Sequence, residues 1–325
     1  MSTHTSYTKL TITELAKRMD PGGDIQTIAE VLAETNEILM DIPFVEANGV
    51  TYHKDVRRLA LPTPTWAKIN EGVTPTASRT VEVTAGIGML EDYVMTDKRL
   101  VDLANDPAKF RMEEARAHIE AMGQEMAGTM LYGSAATEPE AFDGLATLMP
   151  SLDTDGNILN AGGSGNDNTS IYVIQWGPGK VFGVYPRGSK AGLSRSDDGL
   201  EIIGDETNGY IKKYVDHFIW KAGLFVKDDR CIGRVANIEA SGSTNIFNED
   251  DLITLLNRMP QRGKGAVIYC NETVHTQMEI ALKDKNNVNY TPSKGEGLAG
   301  DVVLYFRGHP VRLVDQILNT EDTLS

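Results

Sequence analysis

The sequence predicts an α+β chain organised around one long helix, and three observations carry that expectation. Residues 107–132 read as a single uninterrupted helix, about twice the length a globular protein ordinarily uses. The stretch before it, 46–85, is extended, polar and rich in Pro and Thr, with too few large apolar groups to form a core. The last third alternates short apolar runs with capped helical patterns, the mark of an α/β lobe. A stiff rod beside an arm that cannot bury itself is a part built to be assembled.

Each element has a local cause. For the rod, Asp106 is a good N-cap, Pro107 sits where a missing N–H costs nothing, and Gly133 closes the far end. Its length is about 39 Å at 1.5 Å per residue. Ala115, Ile119, Met122, Met126 and Met130 step by three and four, so this face is expected to be buried.

Residues 1–45 read as two short helices. Thr11 and Glu14 form a capping box for the first, which ends before Asp20-Pro21-Gly22-Gly23. Ile25, Ile28, Leu32, Thr35 and Leu39 place one stripe on the second. Residues 46–85, interrupted by Pro62, Pro64 and Pro75, read as a projecting hairpin with strands near 50–59 and 79–84. An isolated hairpin is marginal in water, so this one is expected to be ordered on a neighbouring subunit.

A strand follows at 88–96, then the rod. Residues 151–169 read as a mobile Gly/Asn/Asp/Ser loop. Strands are expected at 171–176, Val181–Tyr185, 213–226 and 232–238, with Phe218, Trp220 and Leu224 forming an apolar sheet face. Asn248 caps a helix that buries Leu252, Leu255, Leu256 and Met259 and stops at Pro260. A buried strand at 266–270 leads to Asn271, which caps a helix carrying Val274, Met278 and Leu282. The chain then makes a hairpin, Val302–Phe306 with 311–317, across Arg307-Gly308-His309-Pro310.

Composition narrows the function. At 325 residues the chain makes a large core in two or three lobes. No apolar run is long enough to span a bilayer, and the polar start, residues 1–10, has no signal-peptide core. The net charge of −15 argues against tight or sequence-specific nucleic-acid binding. Lys54, Arg57 and Arg58 are the nearest thing to a basic patch, and a solvated strand explains them better than a phosphate site. Cys231 and Cys270 lie far apart and are expected to be buried free thiols.

Several motifs approach known chemistry and miss it. In Gly177-Pro178-Gly179-Lys180-Val181-Phe182-Gly183 the third glycine is one residue late, and a strand follows where a dinucleotide loop needs a helix. Residues 183–190 end Gly188-Ser189-Lys190, the inverse of a phosphate loop, and Pro186 removes a backbone donor. In the Asp153, Asp155, Asn157 stretch the glycine falls at position four and position twelve is Ser164, so an Asx-rich turn replaces a calcium loop. His4, His53, His118, His217, His275 and His309 are dispersed, with His118 and His275 on helices as surface or packing residues. Gly-x-Ser-x-Gly is absent. No catalytic, cofactor-binding or metal-binding residue is expected, and no cofactor.

Ordered stretches of the chain resemble the major capsid proteins of tailed bacteriophages, in the short-tailed branch that includes epsilon-fifteen and the Bordetella phage. They begin with Leu15-Ala16-Lys17-Arg18-Met19-Asp20-Pro21 and Ala29-Glu30-Val31-Leu32-Ala33-Glu34-Thr35-Asn36-Glu37-Ile38-Leu39. Leu61-Pro62-Thr63-Pro64-Thr65-Trp66, Asn70-Glu71-Gly72-Val73 and Gly88-Met89-Leu90-Glu91 follow. Then come Gln124-Glu125-Met126-Ala127, Leu131-Tyr132-Gly133 and Phe142-Asp143-Gly144-Leu145. Tyr185-Pro186-Arg187-Gly188, Trp220-Lys221-Ala222-Gly223-Leu224 and Arg234-Val235-Ala236-Asn237-Ile238 complete the series.

The resemblance implies the Hong Kong 97-type capsid fold. On it, 1–45 is the N-terminal arm and 46–85 the extended loop. Residues 86–150 and 170–242 form the peripheral domain with spine helix 107–132, and 243–325 the axial α/β domain. The strand order is expected to be altered, because the strands near 218–238 precede the α/β lobe. The implied function is a non-enzymatic shell protein, forming pentamers and hexamers that close an icosahedral capsid around phage DNA. The implied partners are copies of itself, scaffolding protein, a portal and a cement or decoration protein, with non-specific contact to packaged double-stranded DNA and no membrane. Assembly is expected in the bacterial cytoplasm, and the product in the virion. The rival readings are a cellular nanocompartment shell of the same fold and, further off, a soluble α/β enzyme for phosphate ligands.

Overall fold

The computed structural model describes residues 36–153, 156–204, 209–242, 244–282, 290–294 and 302–325. The expected helices before residue 36, with their capping box and all of their stripe but Leu39, lie outside the described residues. Described helices are α1 (Ile38–Asp41), α2 (Lys98–Leu103), α3 (Pro107–Tyr132), α4 (Leu145–Leu148), α5 (Glu249–Arg258) and α6 (Glu272–Leu282). The first seven strands are β1 (Phe44–Glu46), β2 (Tyr52–Ala60), β3 (Arg79–Gly86), β4 (Gly88–Asp97), β5 (Ile158–Asn160), β6 (Asn168–Ile174) and β7 (Val181–Tyr185). The next seven are β8 (Leu193–Gly204), β9 (Tyr210–Val226), β10 (Ile232–Glu239), β11 (Val267–Cys270), β12 (Tyr290–Lys294), β13 (Val302–Phe306) and β14 (His309–Leu313).

The rod forms over the expected residues, for the expected reasons. Asp106 Oδ1 accepts from the amides of Ala108 and Lys109, each at 3.1 Å. The Gly133 amide donates to the Thr129 carbonyl at 2.9 Å and ends the helix. Ala115, Met122, Met126 and Met130 are buried with Phe110, Ala127 and Leu131. Ile119, expected on this face, is 39% exposed. Periodicity placed it on the same face as the buried Ala115 and Met122, but the cover that Val94 and Phe218 give those two is incomplete at Ile119.

The chain divides into two compact units. The first holds residues 90–123 and 193–220 of the described chain. There β8 pairs with β9 from Leu193↔Trp220 to Gly204↔Tyr210, with an irregularity between Asp197 and Gly199. Val94, Ala115, Met122 and Phe218 form one apolar cluster, and Leu100, Val101, Ala104 and Phe110 another. Between them the buried Asp216 carboxylate accepts two bonds from Arg111 Nη2 at 2.9 Å and one from Arg195 Nη2 at 2.7 Å. Two cations on one carboxylate offset its desolvation.

The second unit contains a seven-stranded sheet ordered β12-β13-β14-β11-β6-β10-β5. The pairing β11–β14 is parallel, while β6 pairs antiparallel with β10 and β11. Capping by Asn248 and Asn271 holds as expected, at 3.1 Å to the Asp250 amide and 3.0 Å to the Val274 amide. Leu252, Leu255, Leu256, Met259, Val274 and Met278 pack with Ile171, Val173, Ile268 and Phe306 in one core.

Four expectations change. The segment 151–169 is no bare loop, since β5 pairs in parallel with β10 there. The last hairpin turns on two residues, Arg307 and Gly308, because both adopt the left-handed φ (48° and 83°) that a tight turn needs. The strand β8 was not anticipated from the sequence. Finally, β6 and β10 share a sheet with β11, β13 and β14, so the sheet runs across the division expected at residue 243.

Residues 319–325 return to this sheet and close a buried polar knot. The Glu321 carboxylate accepts from Tyr132 Oη at 2.5 Å and Arg234 Nη2 at 2.9 Å, and also from the Ser170 hydroxyl. Burial and the adjacent Glu321 charge push the Tyr132 and Tyr172 hydroxyls above their ordinary range.

Candidate assembly surface

The hairpin β2–β3 stands as a two-stranded sheet of its own within the second unit. Its pairing runs from Tyr52↔Gly86 to Ala60↔Arg79, with an irregularity between Arg58 and Ala60. Alternation places His53, Asp55 and Arg57 on one face with Val83 and Ala85. These residues, with Ile87, are half-buried at the base. Val83, Ala85 and Ile87 pack on Ala47, Phe182, Val184 and Phe225. The His53 ring stands edge-on to Phe182 and Phe225, at centroid distances of 5.6 and 4.6 Å.

Charge fastens the same base. Lys227 Nζ donates to the Asp55 carboxylate, and Arg57 Nη1 lies 2.8 Å from Asp229 Oδ2. Lys227 holds the Asp55 carboxyl below its ordinary value, and burial lowers that of His53. A close approach completes the joint: a Cβ on Gly223 would strike the Gly86 carbonyl.

Beyond Arg57 and Val83 the hairpin touches nothing that covers it. Every residue from 58 to 82 is exposed. The tip carries Leu59, Leu61, Trp66, Ile69 and Val73, with Trp66 at 99% and Ile69 at 93% exposure. Exposed apolar groups gathered this densely mark an interaction surface. The nearest thing to a basic patch is largely neutralised in place: Lys54 pairs with Glu82 at 2.6 Å, and Arg57 with Asp229.

The near-miss motifs resolve as structural turns. Lys180 N donates to the Gly177 carbonyl at 3.0 Å in a tight turn that leads into strand β7. The Gly188 amide donates to Glu46 Oε1 at 2.8 Å, so a carboxylate takes the donor a phosphate would need. Asp153 Oδ1 accepts from the Gly156 amide at 3.0 Å, an Asx turn, with residues 154 and 155 outside the described set. Among the described residues no three His, Cys, Asp or Glu side chains gather to hold a metal. The described histidines stay apart. His118 Nδ1 lies 2.5 Å from Asp92, His217 stacks on Tyr93, and His275 lies 3.7 Å from Glu279. Cys231 and Cys270 are buried free thiols, and burial raises both pKa values.

Sequence reasoning missed the exposed outer end of the β8–β9 pairing, which carries Leu200, Ile202 and Tyr210 on its surface. The alternation of Leu200 and Ile202 was its only signal. No helix of the described residues is long and apolar enough to cross a membrane.

Comparison with known proteins identifies the family. The model for the major capsid protein GP7 matches residues 20–325. The solved structure of bacteriophage Epsilon15 superposes with a TM-score of 0.72 at 32% identity, covering 99% of each chain. The capsid of Myoviridae phage XM1 gives a TM-score of 0.45 at 11% identity, covering 71% of this chain and 100% of that one. The SrpI encapsulin of Synechococcus elongatus PCC 7942 gives 0.44 at 11%, covering 74% and 100%. No curated protein matches. With the spine helix, the uncovered hairpin and nearly the whole chain accounted for, this protein belongs to the GP7 major capsid protein family and is a shell-forming subunit of Hong Kong 97-type fold.

Proposed function

We propose that this subunit forms pentamers and hexamers that close an icosahedral shell around phage double-stranded DNA, with the hairpin β2–β3 laid over the neighbouring subunit. The observation that carries the reading is the contrast within that hairpin: a base locked by Asp55–Lys227, Arg57–Asp229 and His53, and a tip from 58 to 82 with no cover. Heterologous contacts of this kind close into rings when the rotations close, and many weak ones sum to a stable shell.

In this reading residues 1–45 are the arm and 46–85 the extended loop. Residues 86–150 and 170–242 carry the peripheral domain, and 243–325 the axial lobe, although the sheet joins the last two. The subunit acts by assembly and not by catalysis. It works with scaffolding protein, a portal and a cement or decoration protein, and shells form in the host cytoplasm. DNA contact is non-specific, because a net charge of −15 repels phosphate.

Deleting residues 51–84 tests the reading. The expected result is a folded, soluble subunit that electron microscopy shows building no shells, where the intact chain builds round particles of uniform diameter. Normal shells from the deletion variant, or no shells from the intact chain, would overturn it.

A further inference from the structure

A cavity of about 540 Å³ opens in the second unit, between the turn Pro260–Gly263 and the two-residue turn that joins β13 to β14. Three features of its walls point the same way. The first is backbone strain. Six non-glycine residues among those described hold a left-handed φ. Three are Asn70, Asn237 and Asn245, of the type that tolerates it. The other three are Gln261 (53°), Arg262 (56°) and Arg307 (48°), all in the two turns that border this cavity; the hairpin turn itself requires the value at Arg307, so the strain rests on Gln261 and Arg262. Strain of this kind persists only where the surroundings enforce it, and it concentrates at functional sites.

The second feature is charge. Arg262 and Lys264 line the cavity and Arg307 adjoins its wall at Gly308; all three are exposed. None has an ion-pair partner among the described residues, and what sets them apart from other unpaired cations is that they share one concavity. Uncompensated cations grouped in a concavity stand out in a chain with 46 acidic and 31 basic residues.

The third is rigidity. The buried Gln175 donates from Nε2 to the carbonyls of Pro260 at 3.1 Å and Lys264 at 3.0 Å. His309 Nδ1 lies 3.2 Å from the Ala266 carbonyl, which fixes one wall. The turns are therefore held in place before anything binds, and a preorganised site loses less entropy on binding.

We propose that this cavity is an anion site that receives a carboxylate side chain from a second copy of the chain. The guanidinium fork of Arg262 matches a carboxylate, and Lys264 adds a point charge. The acidic excess of the chain supplies the complementary group, and assembly presents it at high local concentration. This inference rests on the proposed self-assembly.

The test uses the full-length chain under the conditions in which wild type gives shells. Two variants separate binding from folding. Lys264→Glu changes an exposed side chain whose backbone has an ordinary negative φ of −51°. Arg262→Gly removes charge and relieves strain together. Lys264→Glu is expected to lower shell yield at least tenfold with an unchanged thermal melt. Arg262→Gly is expected to raise the melting temperature of the subunit while lowering shell yield several-fold. Wild-type shell yield from both would overturn the proposal. Normal shells with reduced DNA content would overturn it in favour of a nucleic-acid phosphate as the ligand. If the wild type itself gives no shells under any condition, it is the assembly reading that fails.

Discussion

Strand β6 and hairpin β2–β3 belong to the same compact unit and use the same backbone chemistry, yet they meet opposite environments. All seven residues of β6 are buried, while neither β2 nor β3 buries one. The first is held by side-chain packing on both faces and by neighbours on both edges. The second has cross-strand bonds and a base fastened through Val83 and Ala85, and the apolar groups of its tip, Leu59, Leu61, Trp66, Ile69 and Val73, are exposed to solvent. The difference teaches where each one's partner lies. For β6 it is this chain, and for the hairpin, on the proposed function, it is another.

The largest test of that contrast is Arg234→Leu. Arg234 and Glu321 are nearly inaccessible, and removing one leaves the other charge buried without compensation. The expected cost is about 3–5 kcal/mol, seen as a melting temperature lower by roughly 10 °C. A melt within a degree of wild type would mean the knot is not buried.

Next is Trp66→Ala. Subunit stability should stay within about 0.5 kcal/mol, as for an exposed residue. Assembly should weaken by about 2 kcal/mol or more per contact, the scale of a tryptophan hot spot. Equal shell-formation curves for variant and wild type would show that the tip is not the contact.

Acidification probes the base between these two regions. His53 has a lowered folded pKa, so its contribution is complete above the ordinary value of 6.5 and declines as pH falls below it. Asp55 is also lowered, so its share is present above the ordinary value of 3.8 and is lost as pH falls through the folded value. Hydrogen exchange at 52–57 should therefore accelerate, relative to β6, in two steps on descent from neutral pH. His53→Phe should remove the upper step. The smallest effect is expected from Ile119→Asp, at under about 1 kcal/mol, because the site is half-open to solvent and only helix propensity is lost. A loss of several kcal/mol in a denaturant titration would show that this turn of the helix is covered after all.

What could be read from the sequence is what neighbours in sequence decide. Asp106, Pro107 and Gly133 mark both ends of the rod, and Asn248 and Asn271 cap their helices, because each acts within one turn. The hairpin at 52–86 was legible through what it lacks, namely large apolar groups. Ile119 failed because periodicity identifies a face but not its cover. Strand β8 failed because Ser194, Arg195, Ser196, Asp197, Asp198 and Gly199 look like a loop, and the irregularity at Gly199 breaks the alternation. The joining of 168–174 and 232–239 to 267–270 and 309–313 depends on distant pairings that no local pattern encodes. The cavity at 261–267 was invisible for the same reason: two turns far apart in sequence build it.

The knot around Glu321 has a consequence in time. Its partners Tyr132, Ser170 and Arg234 precede it by 189, 151 and 87 positions. Contacts so remote in sequence form late, since a long loop must close before they return any energy. On the ribosome, where domains fold as they emerge, the seven-stranded unit stays incomplete until residues 319–325 are out. The hairpin, whose base rests on that unit through Phe182, Phe225 and Lys227, is therefore fully seated only after residues 319–325 have joined the sheet.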